Sequence, residues 1–403
     1  MSMFLVTTFV YRFANGLLFL AVAWNLVRSN GGGAMPLALS AIAGFLPAVL
    51  VAPFARRLLA HMDMRKMTIY GVAGLFAAAL AFAFVQRWYV GILVINFFVL
   101  AIFFLLEGAW DGLLASIAKT LPGVEGDKLN ARQSAATQAG LMLGGLPIGI
   151  LTRAGGEAMP FIAAAMLYIV TILCFMVSPL RRCAQRPVSP IESIDQQESE
   201  ISRSTGPIAW STLATLALVW PCLALVNMVV PLVANSQGNG TVEHAAILDA
   251  AIGLGMGFIG IAYERLISLR GSAYKLLMVG MAFLVPLPFV ALLLFPYALF
   301  PLAACFFISG IGFGMFRISL RKQLITTQPA HRVGQVVASC NGYGVPVLAL
   351  AALLYAQTWR VGPVIPLVVF AVFGALATLS TKGGGGLGRA QGSATPSCRT
   401  KVT

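Results

Sequence analysis

Apolar residues come in runs of about twenty, separated by short polar intervals, from the start of the chain to about residue 381. A helix needs roughly that length to cross a hydrocarbon core of about 30 Å. Within lipid the backbone must satisfy its own hydrogen bonds, so each run is predicted to be a helix. Twelve spans are predicted, at 4–26, 36–57, 67–86, 90–113, 132–152, 158–180, 208–233, 246–266, 274–297, 299–320, 334–356 and 361–381. The first lacks a basic leader and an A-x-A site, so it reads as a span rather than a cleaved signal peptide. The fold class expected is an all-α polytopic membrane protein with its helices in two six-helix halves.

Two stretches break the pattern. Residues 181–206 hold Arg181, Arg182, two prolines, Glu192, Asp195, Glu198 and Glu200, with no steady period. They are expected to form a disordered cytoplasmic linker between an N-terminal half, 1–180, and a C-terminal half, 207–382. The tail, 383–403, opens on glycines and continues with Ser, Thr and Pro, and it reads the same way. An even split into two halves is the mark of an internal repeat, as in many secondary transporters.

Composition agrees with this picture. Apolar residues make up 59% and charged residues only 10%, and the mean hydropathy is +0.88. The net charge of +14 calls for no nucleic-acid partner, because its distribution follows the membrane. Of 27 Lys and Arg, 22 fall in the intervals and tail on the side of the termini, and only Arg28, Arg87, Arg153 and Arg360 fall on the other. Basic loops stay cytoplasmic, so both termini are expected inside, at an inner (plasma) membrane, with anionic lipid as the neighbour of the basic loops. Six cysteines stand singly and three histidines lie at loops or span ends. That pattern predicts neither a disulfide framework nor a metal site. No cofactor is expected, and no Walker A motif is present for ATP.

The intervals after the second and eighth predicted spans are alike. One reads Arg56-Arg57, then Asp63-Met64-Arg65-Lys66; the other reads Gly260-Ile-Ala-Tyr-Glu264-Arg265, then Arg270. The latter resembles the G-x-x-x-D-R-x-G-R-R loop of the major facilitator superfamily, while the former keeps only its acid and bases. Gly140-x-x-x-Gly144-Gly145-Leu-Pro147-Ile-Gly149 is similar to the exporters' G-x-x-x-G-P-x-x-G-G motif, with Gly145 where that motif has Pro. Three further segments resemble the siderophore-efflux branch that contains the enterobactin exporter. They are Ser40 to Pro47 with Pro53, Asn130-Ala-Arg132-Gln133-Ser134 to Gly140, and Gln328-Pro329 with Arg332-Val-Gly334-Gln335-Val336. The resemblance implies a cavity lined by spans 1, 4, 7 and 10, alternating access, and gating loops carrying Asp63, Arg65, Gly260, Glu264 and Arg265.

Polar residues inside spans point to the same helices. A charge in a span is costly and usually faces a cavity or a partner. Arg12 and Asn15 lie three apart on the first span, and Glu107 and Asp111 lie four apart on the fourth, with Trp110 beside them. Asn227 sits in the seventh span and Arg317 near the end of the tenth. Arg12 and Glu107 fall at similar depth by the 1.5 Å rise per residue, so they are predicted to pair or to work together. A carboxyl acted on by burial, by a like charge and by an arginine suits a proton carrier. The alternative for Arg12 and Glu107 is a fixed structural pair between helices. Arg317 can equally be the first of the topological charges that follow it, and Asn227 a bond between helices.

These readings favour a monomeric secondary transporter exporting a siderophore or similar small anionic metabolite in exchange for protons. An uptake permease or a general drug efflux pump has the same fold, which does not choose among them. A non-transporting sensor or scaffold is a remoter alternative. A membrane-embedded enzyme would need clustered nucleophiles and bases within the spans, and no such constellation is visible in the sequence, so no enzymatic activity is expected.

Overall fold

The computed structural model describes residues 2–29, 33–61, 64–119, 123–177, 208–236, 241–267, 272–296, 298–328 and 330–383. The predicted linker and nearly all of the tail lie outside these residues, as does Asp63. Every described element is helical: α1 (Ser2–Ser29), α2 (Ala34–His61), α3 (Met64–Val85), α4 (Tyr89–Lys119), α5 (Gly123–Leu143), α6 (Ile148–Gly155), α7 (Met159–Val177), α8 (Trp210–Ser236), α9 (Val242–Ile267), α10 (Ser272–Leu284), α11 (Leu287–Leu294), α12 (Leu299–Thr327), α13 (Ala330–Thr358) and α14 (Val364–Gly383). Among the described residues ten helices are long and apolar enough to cross a membrane, and Ala34–Leu50 and Val364–Ser380 are shorter apolar segments of the same kind. Together they make the twelve crossings.

Two crossings are broken where the sequence reading had them continuous. Pro147 has no N–H, and at this point Gly145 and Leu146 donate to the carbonyls three residues back, at 3.4 and 3.1 Å. The fifth crossing is therefore α5 then α6. Pro286 divides the ninth crossing into α10 and α11 in the same manner. There Phe289 donates to Pro286, and the carbonyl of Val285 accepts the Ser309 hydroxyl at 2.5 Å. A side chain thus takes up a backbone group that the break frees, as the membrane interior demands.

Packing shows the repeat that the six-and-six pattern implied. In the first half α1 packs on α5 and α7, α2 on α4, and α3 on α4 and α7. In the second half α8 packs on α13 and α14, α9 on α12, α10 on α12 and α14, and α11 on α12. Each contact has its equivalent six crossings later. The halves meet along α2 with α13 and along α5 with α9, which are again equivalent pairs. Lipid-facing side chains gather on α3, α7, α10 and α14, where Phe84, Val177, Phe283 and Leu379 are exposed. These crossings (the third, sixth, ninth and twelfth) carry no buried charge among their described residues. The buried charges lie on the inner helices.

Candidate functional site

The site begins with close contact between α1 and α5. A Cβ on Gly16 would strike the Leu141 carbonyl, and one on Gly140 would come within 2.7 Å of the Phe9 carbonyl. Small residues here let the two backbones touch. Arg12 is fixed beside that contact, fully buried. Its guanidinium lies 5.2 Å from the ring centres of both Tyr11 and Phe103, and its Nη2 donates to Glu107 Oε2. The pair that the sequence predicted on the basis of depth is present.

Glu107 has a second partner. Arg317 Nη2 on α12 donates to Glu107 Oε1 at 3.3 Å. One turn along both helices, Arg321 Nη2 donates to Asp111 Oδ1, and Arg321 Nη1 donates to Gln133 Oε1 at 2.6 Å. Glu107 and Asp111 stand four apart on α4, and Arg317 and Arg321 stand four apart on α12. Two acids on one helix thus match two arginines on another, rung for rung, and α4 and α12 belong to different halves. By rise per residue Glu107 and Arg317 lie roughly 15–18 Å from the α4 and α12 ends at Lys119 and Thr327, and the second rung lies roughly 9–12 Å from them. The ladder spans the seam between the halves, buried throughout.

Its charge does not balance. Three arginines face two carboxylates. Arg12 Nε and Nη1 and Arg317 Nη1 are buried without a hydrogen-bond partner. Among the described residues the cluster therefore has one more arginine than carboxylates and three N–H-bearing atoms in excess.

Aromatic rings wall the cluster off. Trp220 on α8 meets Phe103 edge-on at 5.1 Å, and Arg317 lies 5.4 Å above its ring. Trp220 lines a cavity of about 40 Å³ together with Glu107, Asp111, Arg317, Arg321 and Asn341. It also lines an apolar cavity of about 80 Å³, with Phe19, Phe45, Phe103 and Leu223 and with Asn96 and Asn227 as polar members. Each holds only a few waters. Beyond the ladder, on the face bearing the chain termini, Ala115, Leu324 and Val333 close the seam with apolar contact.

The other residues singled out from sequence fall elsewhere. Asn15 accepts from Tyr168 at 2.7 Å inside the first half. Trp110 is buried there as well, donating to Thr8 at 3.0 Å and stacked on Tyr11. The hydrogen bonds of both are made within the half. Asn227 lines the apolar cavity. Gly260 meets Ala131 and Ala135 of α5, which is close helix packing at the seam. Arg65 lies at the start of α3, and Glu264 and Arg265 lie near the end of α9. The side chains of Glu264 and Arg265 are outside the described residues, so the loop pairing expected of them is outside as well.

The model of the Major Facilitator Superfamily matches residues 4–349. The chain belongs to the Major Facilitator Superfamily. It shares its fold with a bacterial homologue of the iron transporter ferroportin, solved in an outward-facing state, at a TM-score of 0.67 and 12% identity, covering 94% of this chain and 99% of that one. It shares it also with the human organic anion transporter MFSD10 (TETRAN), at a TM-score of 0.63 and 13% identity, covering 94% and 98%. No curated protein matches the sequence. As a superfamily member the protein is a multi-pass membrane transport protein. Sequence reasoning missed Arg321, which it counted among the topological charges, and Asp249, an acid buried inside α9. The signal for Arg321 was there in the equal four-residue spacing of the acids on α4 and the arginines on α12.

Proposed function

We propose that the protein is a secondary transporter that exports a small anionic metabolite of the siderophore class from the cytoplasm in exchange for protons, by alternating access. The observation carrying this reading is the buried ladder across the seam with its surplus positive charge. Glu107 and Asp111 hold Arg317 and Arg321, and so hold the halves together on the terminal face. Protonating a carboxylate releases its arginine. An anion from the cytoplasm then has arginine N–H groups to bind in place of the carboxylate, and the two ligands compete for one set of donors. Proton and anion occupancy of the ladder are thereby linked through one set of donors. The basic asymmetry of the loops supports an inner-membrane orientation with cytoplasmic termini.

The test uses everted membrane vesicles with a radiolabelled catecholate siderophore, with and without an imposed pH gradient. Uptake driven by an acidic lumen, abolished by Glu107→Gln, is the expected result. Uptake that ignores the gradient would sink the proton-exchange reading. The apolar, aromatic cavity beside Trp220 supports a second reading, efflux of apolar drugs. Ethidium transport in the same vesicles, undiminished by Arg317→Gln, would favour it.

A further inference from the structure

Asp249 stands apart from the ladder. It lies on α9 seven residues from Val242, roughly 10 Å in from the end away from the termini. It is 5% exposed, and its Oδ1 is buried with no hydrogen-bond partner. Its face of α9 is the one that meets the fifth crossing. One turn on, Gly253 packs against Met142 and the Gln138 carbonyl, and six residues before, Glu243 lies against Gly149. Asp249 Oδ2 itself is 3.6 Å from the point where a Cβ on Gly145 would stand, with Leu20 of α1 over the same spot. Gly145 belongs to the break between α5 and α6. The carboxyl is therefore at the seam between the halves and at the place where one of the two seam helices is interrupted.

No charge answers it. At the outer end Arg153 of α6 is paired with Glu243, and Arg28 of α1 is paired with Glu157. Deeper, Arg12 of α1 and Arg317 of α12 are engaged with Glu107. The other titratable groups near it are the thiols of Cys305 on α12 and Cys222 on α8 and, on α9 itself, His244, five residues nearer the outer end, whose Nδ1 is buried without a hydrogen-bond partner. None makes a hydrogen bond or ion pair with Asp249 among the described residues. An isolated carboxylate inside a membrane protein is costly, and taking up a proton removes that cost. Contact with water would remove the cost of ionising the carboxyl, so its protonation depends on whether the seam around it is closed.

We propose that Asp249 is a second proton-binding site of the transporter, protonated while the seam is closed and exchanging its proton with water on the face away from the termini when the halves part there. Closing after proton release is then unfavourable, so the occupancy of Asp249 biases the halves' position independently of the ladder. This needs no commitment to the transported solute.

The test is done on full-length protein reconstituted in lipid, without any solute. Infrared difference spectra between acid and alkaline buffer, in H2O and D2O, report a protonated carboxyl directly. Spin labels on Trp88→Cys and Val361→Cys, exposed residues of the two halves on the same face, report the opening. Wild-type protein is expected to show a carboxylic-acid band that titrates together with a shift in label distance. Asp249→Asn is expected to lose that band and the pH response of the distance, while Glu107→Gln keeps the band. Asp249→Glu, which keeps the carboxyl, is expected to shift the band and retain the response. It also serves if the asparagine variant does not fold. A band that survives in Asp249→Asn overturns the proposal. So does a band that is lost while the distance still follows pH, since the proton would then be structural. Failure of siderophore flux would leave both readouts untouched.

Discussion

Glu107 is the residue on which the ladder depends, because among the described residues it alone accepts from two arginines. This changes what its replacement does. From sequence, Arg12→Ala would be expected to strand a carboxylate; in the structure Arg317 remains at 3.3 Å, so Arg12→Ala should cost little beyond its packing against Tyr11 and Phe103. Glu107→Gln instead leaves three arginines facing Asp111 alone. Leaving a buried charge without its partner costs about 3–5 kcal/mol, and we expect a loss near the lower end, because a glutamine oxygen still accepts. Thermal denaturation in detergent checks this: Glu107→Gln should melt well below wild type, and Glu107→Gln with Arg317→Gln should recover most of the loss. If the double variant is no more stable than the single, the two residues do not form one unit. At this scale the sequence was legible where a charge was rare for its surroundings. Arg12, Glu107, Asp111 and Arg317 announced themselves as ions inside apolar runs. Arg321 did not, because Lys322 beside it and the chain's basic intervals gave it an ordinary explanation. Asp249 lay close enough to the start of its span to pass as a residue of the rim.

At the scale of elements, what a hydropathy window measures was readable and what a single backbone group decides was not. The lengths and order of the crossings follow from apolar runs, and the observed helices repeat them. The breaks at Pro147 and Pro286 leave the average almost unchanged, so both crossings looked continuous. Their cost is met locally, and Ser309 shows how. Ser309→Ala removes the hydroxyl bonded to the Val285 carbonyl and leaves that acceptor buried. A loss of about 1–3 kcal/mol is expected, measurable as a lower melting temperature with no change of oligomeric state. Trp220 marks another element-scale feature. It precedes Pro221 in α8, a helix buried on nearly every side and carrying a second proline at Pro231. It lines both the apolar cavity and the charged one. Trp220→Ala should merge the two and let ions leak along the seam. Proton leak in reconstituted vesicles would rise severalfold over wild type, whereas Trp110→Ala, inside one half, should only lower stability.

At the scale of the whole molecule, the seam is closed at both faces but by unequal means. On the terminal face the closure is a buried two-rung ladder backed by Ala115, Leu324 and Val333. On the other face the described ion pair across the seam is Arg153 with Glu243, whose side chains are 72% and 38% exposed. Exposed pairs contribute about 0–1 kcal/mol and weaken with salt, whereas a buried pair is screened little. The two cavities beside Trp220, about 80 and 40 Å³, take no solute of siderophore size until one face opens. The weaker closure should yield first, so the empty protein should open to the outside. The check is a cysteine at Asn227, in the apolar cavity, alkylated by a membrane-impermeant reagent. Added from outside, the reagent should react, and the rate should rise by at most about fivefold at high salt or in Glu243→Gln, the factor that about 1 kcal/mol allows. Added from the cytoplasmic side it should react slowly until Asp111→Asn loosens the ladder. Faster reaction from the cytoplasmic side in the unaltered protein would show either that the ladder is the weaker closure or that the termini lie outside. Reporter fusions to the linker separate those two, since cytoplasmic termini place residues 183–205 inside.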